Sequence, residues 1–184
     1  MSQTYTVVNY TNLANLTAAT GSASSGVFAP LSSHSVLRIQ TTGADGAYFN
    51  IVSATGTPTA DVNNPIVNGE TFVNVPSRSA NVSTVGADNG SDDIQIIFDL
   101  PNDHHHPFNA GELLEIKGNS VAGYNTHTPT VENSVNSTCI TVASTGGALG
   151  QGTGGRVRLA YKIAVERAGA ADCKVTVSEV TAGN

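Results

Sequence analysis

The chain reads as an all-β protein, an antiparallel β-sandwich of jelly-roll-like or Ig-like type with a small inserted β module, and three observations lead there. Good helix formers are scarce: charged residues make up only 12% of the 184 positions, and Gly, Ser, Thr, Asn and Ala fill the space between apolar residues. Apolar residues recur at period two in segment after segment, which is the spacing of a strand with one buried face. Turn-forming Gly, Pro and Asn separate those segments. A chain of this length forms one domain or two small ones and buries roughly two-thirds of its unfolded surface, so a core needs neither metal nor crosslink.

Residues 5–10 form the first expected strand. The Ser/Ala/Gly/Thr stretch 17–26 follows, with neither helical period nor charge, and reads as a loop or an arm. Residues 35–41 alternate, with Leu37 and Ile39 on one face and Arg38 and Gln40 on the other. TGADG turns the chain and residues 48–53 return, so 35–53 is a hairpin candidate. Pro58, Pro65 and Asn68-Gly69 exclude a helix from the next connection. Thr71, Val73 and Val75 line one face of a third strand, and residues 80–85 form a weaker one. Ile94, Ile96, Phe98 and Leu100 then recur at strict period two.

Beyond them, residues 113–117, 128–135 and 138–143 carry short strand patterns, and the glycine-rich run 146–155 reads as a connector unable to hold regular structure alone. From Arg156 to Val165, charged or small residues alternate with Val157, Leu159, Tyr161, Ile163 and Val165, the pattern of one long central strand. Residues 174–180 close the chain as its hairpin partner. The expected organisation is therefore a sandwich core in residues 1–103, a β module in 104–155 and closing strands in 156–184. Strands 94–100 and 157–165 would pair directly, leaving the module a removable outgrowth with its tip near Tyr124.

Charge and cysteine content exclude several roles. A formal net charge of -6 provides no basic stripe for nucleic acid. The basic residues gather late, at Arg156, Arg158, Lys162, Arg167 and Lys174, so one copy's acidic face could meet another's basic face, although strands with solvated outer faces are the plainer reading. Cys139 and Cys173 read as reduced, small apolar residues rather than a disulfide framework. No segment approaches the roughly 20 apolar residues of a membrane span, and the N-terminal residues lack a secretory pattern, so a soluble, cytoplasmically made protein is expected.

The sharpest chemical signal is His104-His105-His106. On a strand His104 and His106 would point the same way, and a symmetric trimer could gather them, with His127, around a metal on its axis; solvated histidines in a polar turn are the plainer reading. GADNGSDD, with Asp88, Asp92 and Asp93 around Gly90, lacks EF-hand spacing and reads first as an acidic turn. No Gly-x-Ser-x-Gly elbow occurs, His34 has no identifiable orienting acid, and Glu112 and Glu115 alone are a thin basis for a glycosidase pair. The residues therefore point away from an enzyme and require no cofactor.

HPFNAGELLEIKGNSVAGYNTHTPTVENSVNSTCITV resembles a module of tailed-bacteriophage tail, fibre and head-surface proteins. It carries the resemblance at His106, Gly111-Glu112, Gly118-Asn119 and Tyr124-Asn125, and departs from it at residues 126–130, where THTPT replaces a glycine-led turn. Residues 36–76 are similar to the β-sandwich core of small phage virion proteins in their order of strand, turn, aromatic strand, Pro-containing loop and strand. Together the two stretches cover about half the chain. The resemblance implies a virion structural protein assembled in the host cytoplasm. As a capsid decoration or cement protein it would be a homo-oligomer, a trimer by expectation, with the major capsid protein or other virion proteins as partners. A tail, neck or baseplate position and a host-surface glycan-binding module are the alternatives. Phe108, Tyr124, Asn125, Arg156 and Arg158 are the expected interaction surface, with Tyr10 and Tyr48 as further aromatic candidates for a glycan.

Overall fold

Period-two alternation does become strands, but the strands seldom pair with their chain neighbours. The structure, a computed structural model, describes residues 7–31, 35–43 and 45–182. In chain order the strands are β1 (Val7–Ala18), β2 (Ala23–Ser24), β3 (Ser35–Thr42), β4 (Ala47–Val52), β5 (Ile66–Val67), β6 (Glu70–Asn74), β7 (Ser79–Val85), β8 (Asp88–Asn89) and β9 (Ile94–Phe98). They continue as β10 (Leu114–Lys117), β11 (Val131–Asn136), β12 (Cys139–Val142), β13 (Ala148–Leu149), β14 (Gly152–Thr153), β15 (Arg156–Leu159), β16 (Lys162–Arg167) and β17 (Cys173–Ala182). One 3-10 turn, Ala122–Thr126, is the helical element among the described residues. The protein is all-β and antiparallel, as the composition requires.

The chain divides into two compact units. Unit 1 takes the described residues up to Val52, Gly56–Ser77 and those from Lys162 onward; unit 2 is Arg78–Tyr161 together with Ser53–Thr55. Unit 1 consists of two four-stranded sheets, ordered β1-β17-β3-β6 and β2-β16-β4-β5. Counted within the unit, the first strand pairs with the eighth, the second with the seventh, the third with the sixth and the fourth with the fifth. That nested order is an eight-stranded jelly roll. It resolves the two sandwich types left open by the sequence.

The nesting overturns both expected hairpins. β3 pairs with β17 and β6, whereas β4 pairs with β16 and β5, so the turn at 43–46 carries the chain from one sheet to the other. β16 and β17 are separated in the same way. Alternation along each strand supplies the core: Leu37, Ile39, Val175 and Val177 from one sheet, Phe49, Ile163 and Val165 from the other, all buried. Burying each such side chain contributes about 1.5–3 kcal/mol. β1 also reaches further than expected, through Ala18, because β17 supplies backbone partners for residues whose side chains give little strand signal. Tyr5, from the expected first strand, lies outside the described residues.

Unit 2 is built on a seven-stranded sheet with the path β10-β15-β7-β9-β12-β11, β14 adding to β7. The segment Ser79–Val85, which looked weak in sequence, is therefore its centre. Ala80, Val82 and Val85 point into the core while Asn81 and Ser83 are exposed. β9 and β15 each pair with β7 and not with each other, which corrects the expected direct pairing. The expected long strand 156–165 is two strands, one in each unit: Leu159, Ala160 and Tyr161 are all buried, which breaks the alternation between them. The boundary thus falls at residues 78 and 161 rather than 104 and 155.

The glycine-rich run also gains structure, because β13 pairs with β8 and β14 with β7 through backbone alone. Glycine is required at two points there. A Cβ on Gly152 would stand 2.1 Å from Asn119 Oδ1, and Gly155 has φ +96° with its Cβ position 2.7 Å from the Lys117 carbonyl.

The two ends of unit 2 are tied together: the Leu159 N–H donates to the Arg78 carbonyl at 2.8 Å. The chain thus leaves and re-enters at neighbouring points. Replacing residues 78–161 with a short Gly/Ser linker is expected to leave a jelly roll that unfolds cooperatively with an all-β circular dichroism spectrum. A non-cooperative melt would show that unit 1 cannot close without unit 2.

Candidate functional site

Two loops of unit 2 converge on Asp88, which the sequence placed in an acidic turn. Asp88 is only 3% exposed. Its carboxylate accepts hydrogen bonds from Gly90 N at 2.8 Å, Ser144 Oγ at 2.7 Å, Thr145 N at 2.7 Å and Thr145 Oγ1 at 2.5 Å. Burial pushes the carboxyl up, but the hydroxyls of Thr145 and Ser144 and the two N–H groups outweigh that and hold it well below the usual carboxylate range. Asp88 is thus an ionised staple joining two loops. Asn89 stabilises the rest of the turn: its Oδ1 accepts the N–H groups of Ser91 and Asp92 at 2.9 Å each. Among the described residues, no group of three or more His, Cys, Asp or Glu could hold a metal ion.

Tyr124, expected at an exposed tip, is instead completely buried. Its hydroxyl donates to the Gly86 carbonyl at 2.7 Å, and burial pushes its pKa up, with the Asp88 charge adding to the effect. Asn125 is turned inward as well: Oδ1 accepts the Asn119 N–H at 2.7 Å and Nδ2 donates to the Asn119 carbonyl at 2.9 Å. Phe108 is buried too, with its ring centroid 5.5 Å from that of Phe98. These three expected surface residues are core or turn residues, because a unit this small needs its few large side chains inside. Tyr48 is half-buried, and the Tyr10 side chain lies outside the described residues.

The histidines do not share a strand, so the expected common direction of His104 and His106 fails. His104 and His105 are exposed. His106 turns inward, its ring centroid 5.7 Å from that of Phe98, and its Nε2 lies 2.8 Å from Ser134 Oγ. The Phe108 N–H donates to Nδ1 at 3.4 Å, so both ring nitrogens are engaged with neutral partners. Burial pushes the His106 pKa down. His127 is separately committed, with Nε2 2.9 Å from the Ala143 carbonyl. His34 lies outside the described residues.

Glu112 and Glu115 each have their own cation partners. Glu112 holds Arg78 in an ion pair and accepts the Asn109 N–H at 2.8 Å, while Arg78 Nη1 donates to the Pro107 carbonyl at 2.5 Å. Glu115 is shared between Lys117 at 3.5 Å and Arg158 at 3.9 Å. Of the expected interaction residues, Arg156 and Arg158 alone reach the surface together. They stand on β15 facing Lys117 and Glu115 of β10.

The Asp88 staple and the Lys117–Arg156 juxtaposition are the features that sequence reading missed. Both depend on residues brought together across long separations, and neither leaves a local motif. No helix among the described residues is long and apolar enough to cross a membrane. Comparison with protein-family models, with curated proteins and with solved structures finds no match.

Two consequences are measurable. Asp88→Asn replaces an acceptor of four donors by a group with a single acceptor oxygen, and is expected to lower unfolding free energy by about 2–3 kcal/mol in urea titrations. For His106, the lowered folded pKa means that the unfolded state takes up a proton first as pH falls. Its contribution is complete above about pH 6.5 and is lost as pH drops through the folded value. A His106→Phe variant should therefore lose less melting temperature than wild type between about pH 7.5 and about pH 5.5.

Proposed function

We propose that the protein is a non-enzymatic structural component of a tailed-bacteriophage virion, and specifically a decoration or cement protein that clamps major capsid subunits on the head. The observation that carries this reading is the eight-stranded jelly roll with a second β unit hung between its sixth and seventh strands. Jelly rolls recur in viral capsid and lectin domains. The resemblance of residues 36–76 and 106–142 to phage virion proteins points the same way.

The surface chemistry also suits a packing role. Asn, Thr, Ser and Gly dominate the exposed positions, and such short side chains lose little rotamer entropy when covered by a neighbour. Arg78, Asp88 and Glu112 hold loops in place through ion pairing and hydrogen bonds.

A tail, neck or baseplate post is the second reading within the same class. The glycan-binding alternative has less support, because Phe108 and Tyr124 are buried and offer no stacking platform. Gold-labelled antibodies raised against the purified chain should decorate the heads of intact virions in electron micrographs. Label confined to the tail would select the second reading, and virions without label would overturn the class.

A further inference from the structure

We infer that unit 2 carries a self-association surface, in which Lys117, Arg156 and Arg158 of one copy receive Asp92, Asp93 and Glu132 of a second copy of this chain. The inference goes beyond the virion reading and rests on unit 2 alone.

Unit 2 contains four cations, Arg78, Lys117, Arg156 and Arg158, of which Arg78 is taken by Glu112 and the Pro107 carbonyl. The remaining three share one sheet face. Lys117 stands directly opposite Arg156 in the β10–β15 register, and Glu115 directly opposite Arg158. Like charges directly opposite each other destabilise a strand pair, so the Lys117–Arg156 arrangement costs the single chain stability. Glu115 answers only part of it, being shared by Lys117 and Arg158. Arg156 is exposed and donates to Ser79 Oγ at 2.6 Å, with no carboxylate partner among the described ion pairs. In a chain whose formal net charge is -6, this is an unneutralised cationic corner.

A complementary corner lies diagonally across the same sheet. Asp92 and Asp93 are exposed just before β9, and Glu132 is exposed on the edge strand β11. Val131 is in register with Val142, and Val142 with Ile94, which brings Glu132 to the end of the sheet where Asp92 and Asp93 lie. Asp92 accepts the Asn89 side-chain amide, and none of the described ion pairs involves Asp93 or Glu132. The opposite end of the sheet holds the cations: Arg156 is level with Asn81, whose carbonyl accepts the Asp99 N–H just past the end of β9. Asp99 is a carboxylate at that end, two strands from Arg156, and Asp103 is exposed in the loop that follows it.

Four strand spacings separate β15 from β11 and Glu132, about 19 Å. Asp92 and Asp93 are two spacings from β15 but at the far end of β9 from the level of Arg156, about 20 Å along the strand, against a screening length of about 8 Å in physiological salt. The two corners of one chain therefore cannot neutralise each other. Two copies can, in a head-to-tail contact that closes into a ring if the rotation allows.

The test is light scattering on the full chain at about 50 mM and about 0.5 M salt. Association at low salt is expected to weaken at least about tenfold at high salt. Lys117→Glu with Arg156→Glu should be monomeric, as should Asp92→Lys with Asp93→Lys and Glu132→Lys, each retaining the wild-type circular dichroism spectrum. Mixing these two proteins should restore association, since each reversed corner then meets its complement. If a reversal misfolds, the milder Arg156→Gln is expected to weaken self-association about threefold. A wild type that stays monomeric at low salt, a folded reversal or an Arg156→Gln variant that associates like wild type, or folded monomeric reversals that ignore each other would overturn the inference. None of these outcomes alters where antibodies label a virion, so the two proposals fail separately.

Discussion

The first strand of the described chain is hydrogen-bonded to the last along most of its length, from Asn9 against Thr181 to Ala18 against Cys173. β17 is flanked by β1 on one side and β3 on the other, so the C-terminal strand is an interior member of its sheet and carries Val175, Val177 and Val180 into burial. Nothing in that sheet is complete until the end of the chain is in place. Contacts of such sequence separation are slow to form, because chain closure must precede the burial that rewards it. The nested order also explains why the short strands β2 and β5 suffice: each is an edge strand beside a longer partner, β16 or β4.

The same constraint limits what can be inserted. An added unit must return the chain close to its point of departure, and Arg78 and Leu159 meet that condition through a direct backbone hydrogen bond. Arg78 reinforces the junction through Glu112 and the Pro107 carbonyl, so the first residue of unit 2 is fixed to a segment in its middle. Farther in, Asp88 and Tyr124 do for the loops what strands do elsewhere. They offer charged or polar anchors where glycine-rich backbone lacks side chains to pack.

Local alternation made the strands themselves legible. Leu37 with Ile39, and Ile94 with Ile96 and Phe98, reach the core faces that period two predicts. Partnership was not legible, because a strand at a sheet-switching turn has the same pattern as one in a hairpin: TGADG looks like a hairpin loop whichever sheet follows it. The break at Ala160 was hidden by the small size of that residue, which fits an exposed or a buried position equally well. Tyr124 and Phe108 misled in a different way. Aromatic residues in a Gly- and Asn-rich stretch look like surface contacts, yet each is among the few side chains large enough to fill the interior of unit 2.

Charge is handled differently in the two units. In unit 1 three of the four cations are answered nearby: Arg38 meets Glu70 at 2.5 Å, Arg167 meets Asp172 at 3.1 Å, and Lys162 donates to the Gly56 carbonyl at 2.7 Å, while Lys174 is exposed. Unit 2 instead buries its best-satisfied carboxylate, Asp88, and leaves Asp92, Asp93 and Glu132 exposed at one corner with Lys117 and Arg156 at another. With so few charged residues in the chain, that separation is inexpensive for a single copy at physiological ionic strength, since exposed charges beyond a screening length hardly interact. Beyond the repulsion between Lys117 and Arg156 within their own corner, it acquires energetic weight when another charged surface comes within a few ångströms. The jelly roll thus pairs most of its cations locally, whereas the unit between its sixth and seventh strands keeps exposed charges of opposite sign at separate corners.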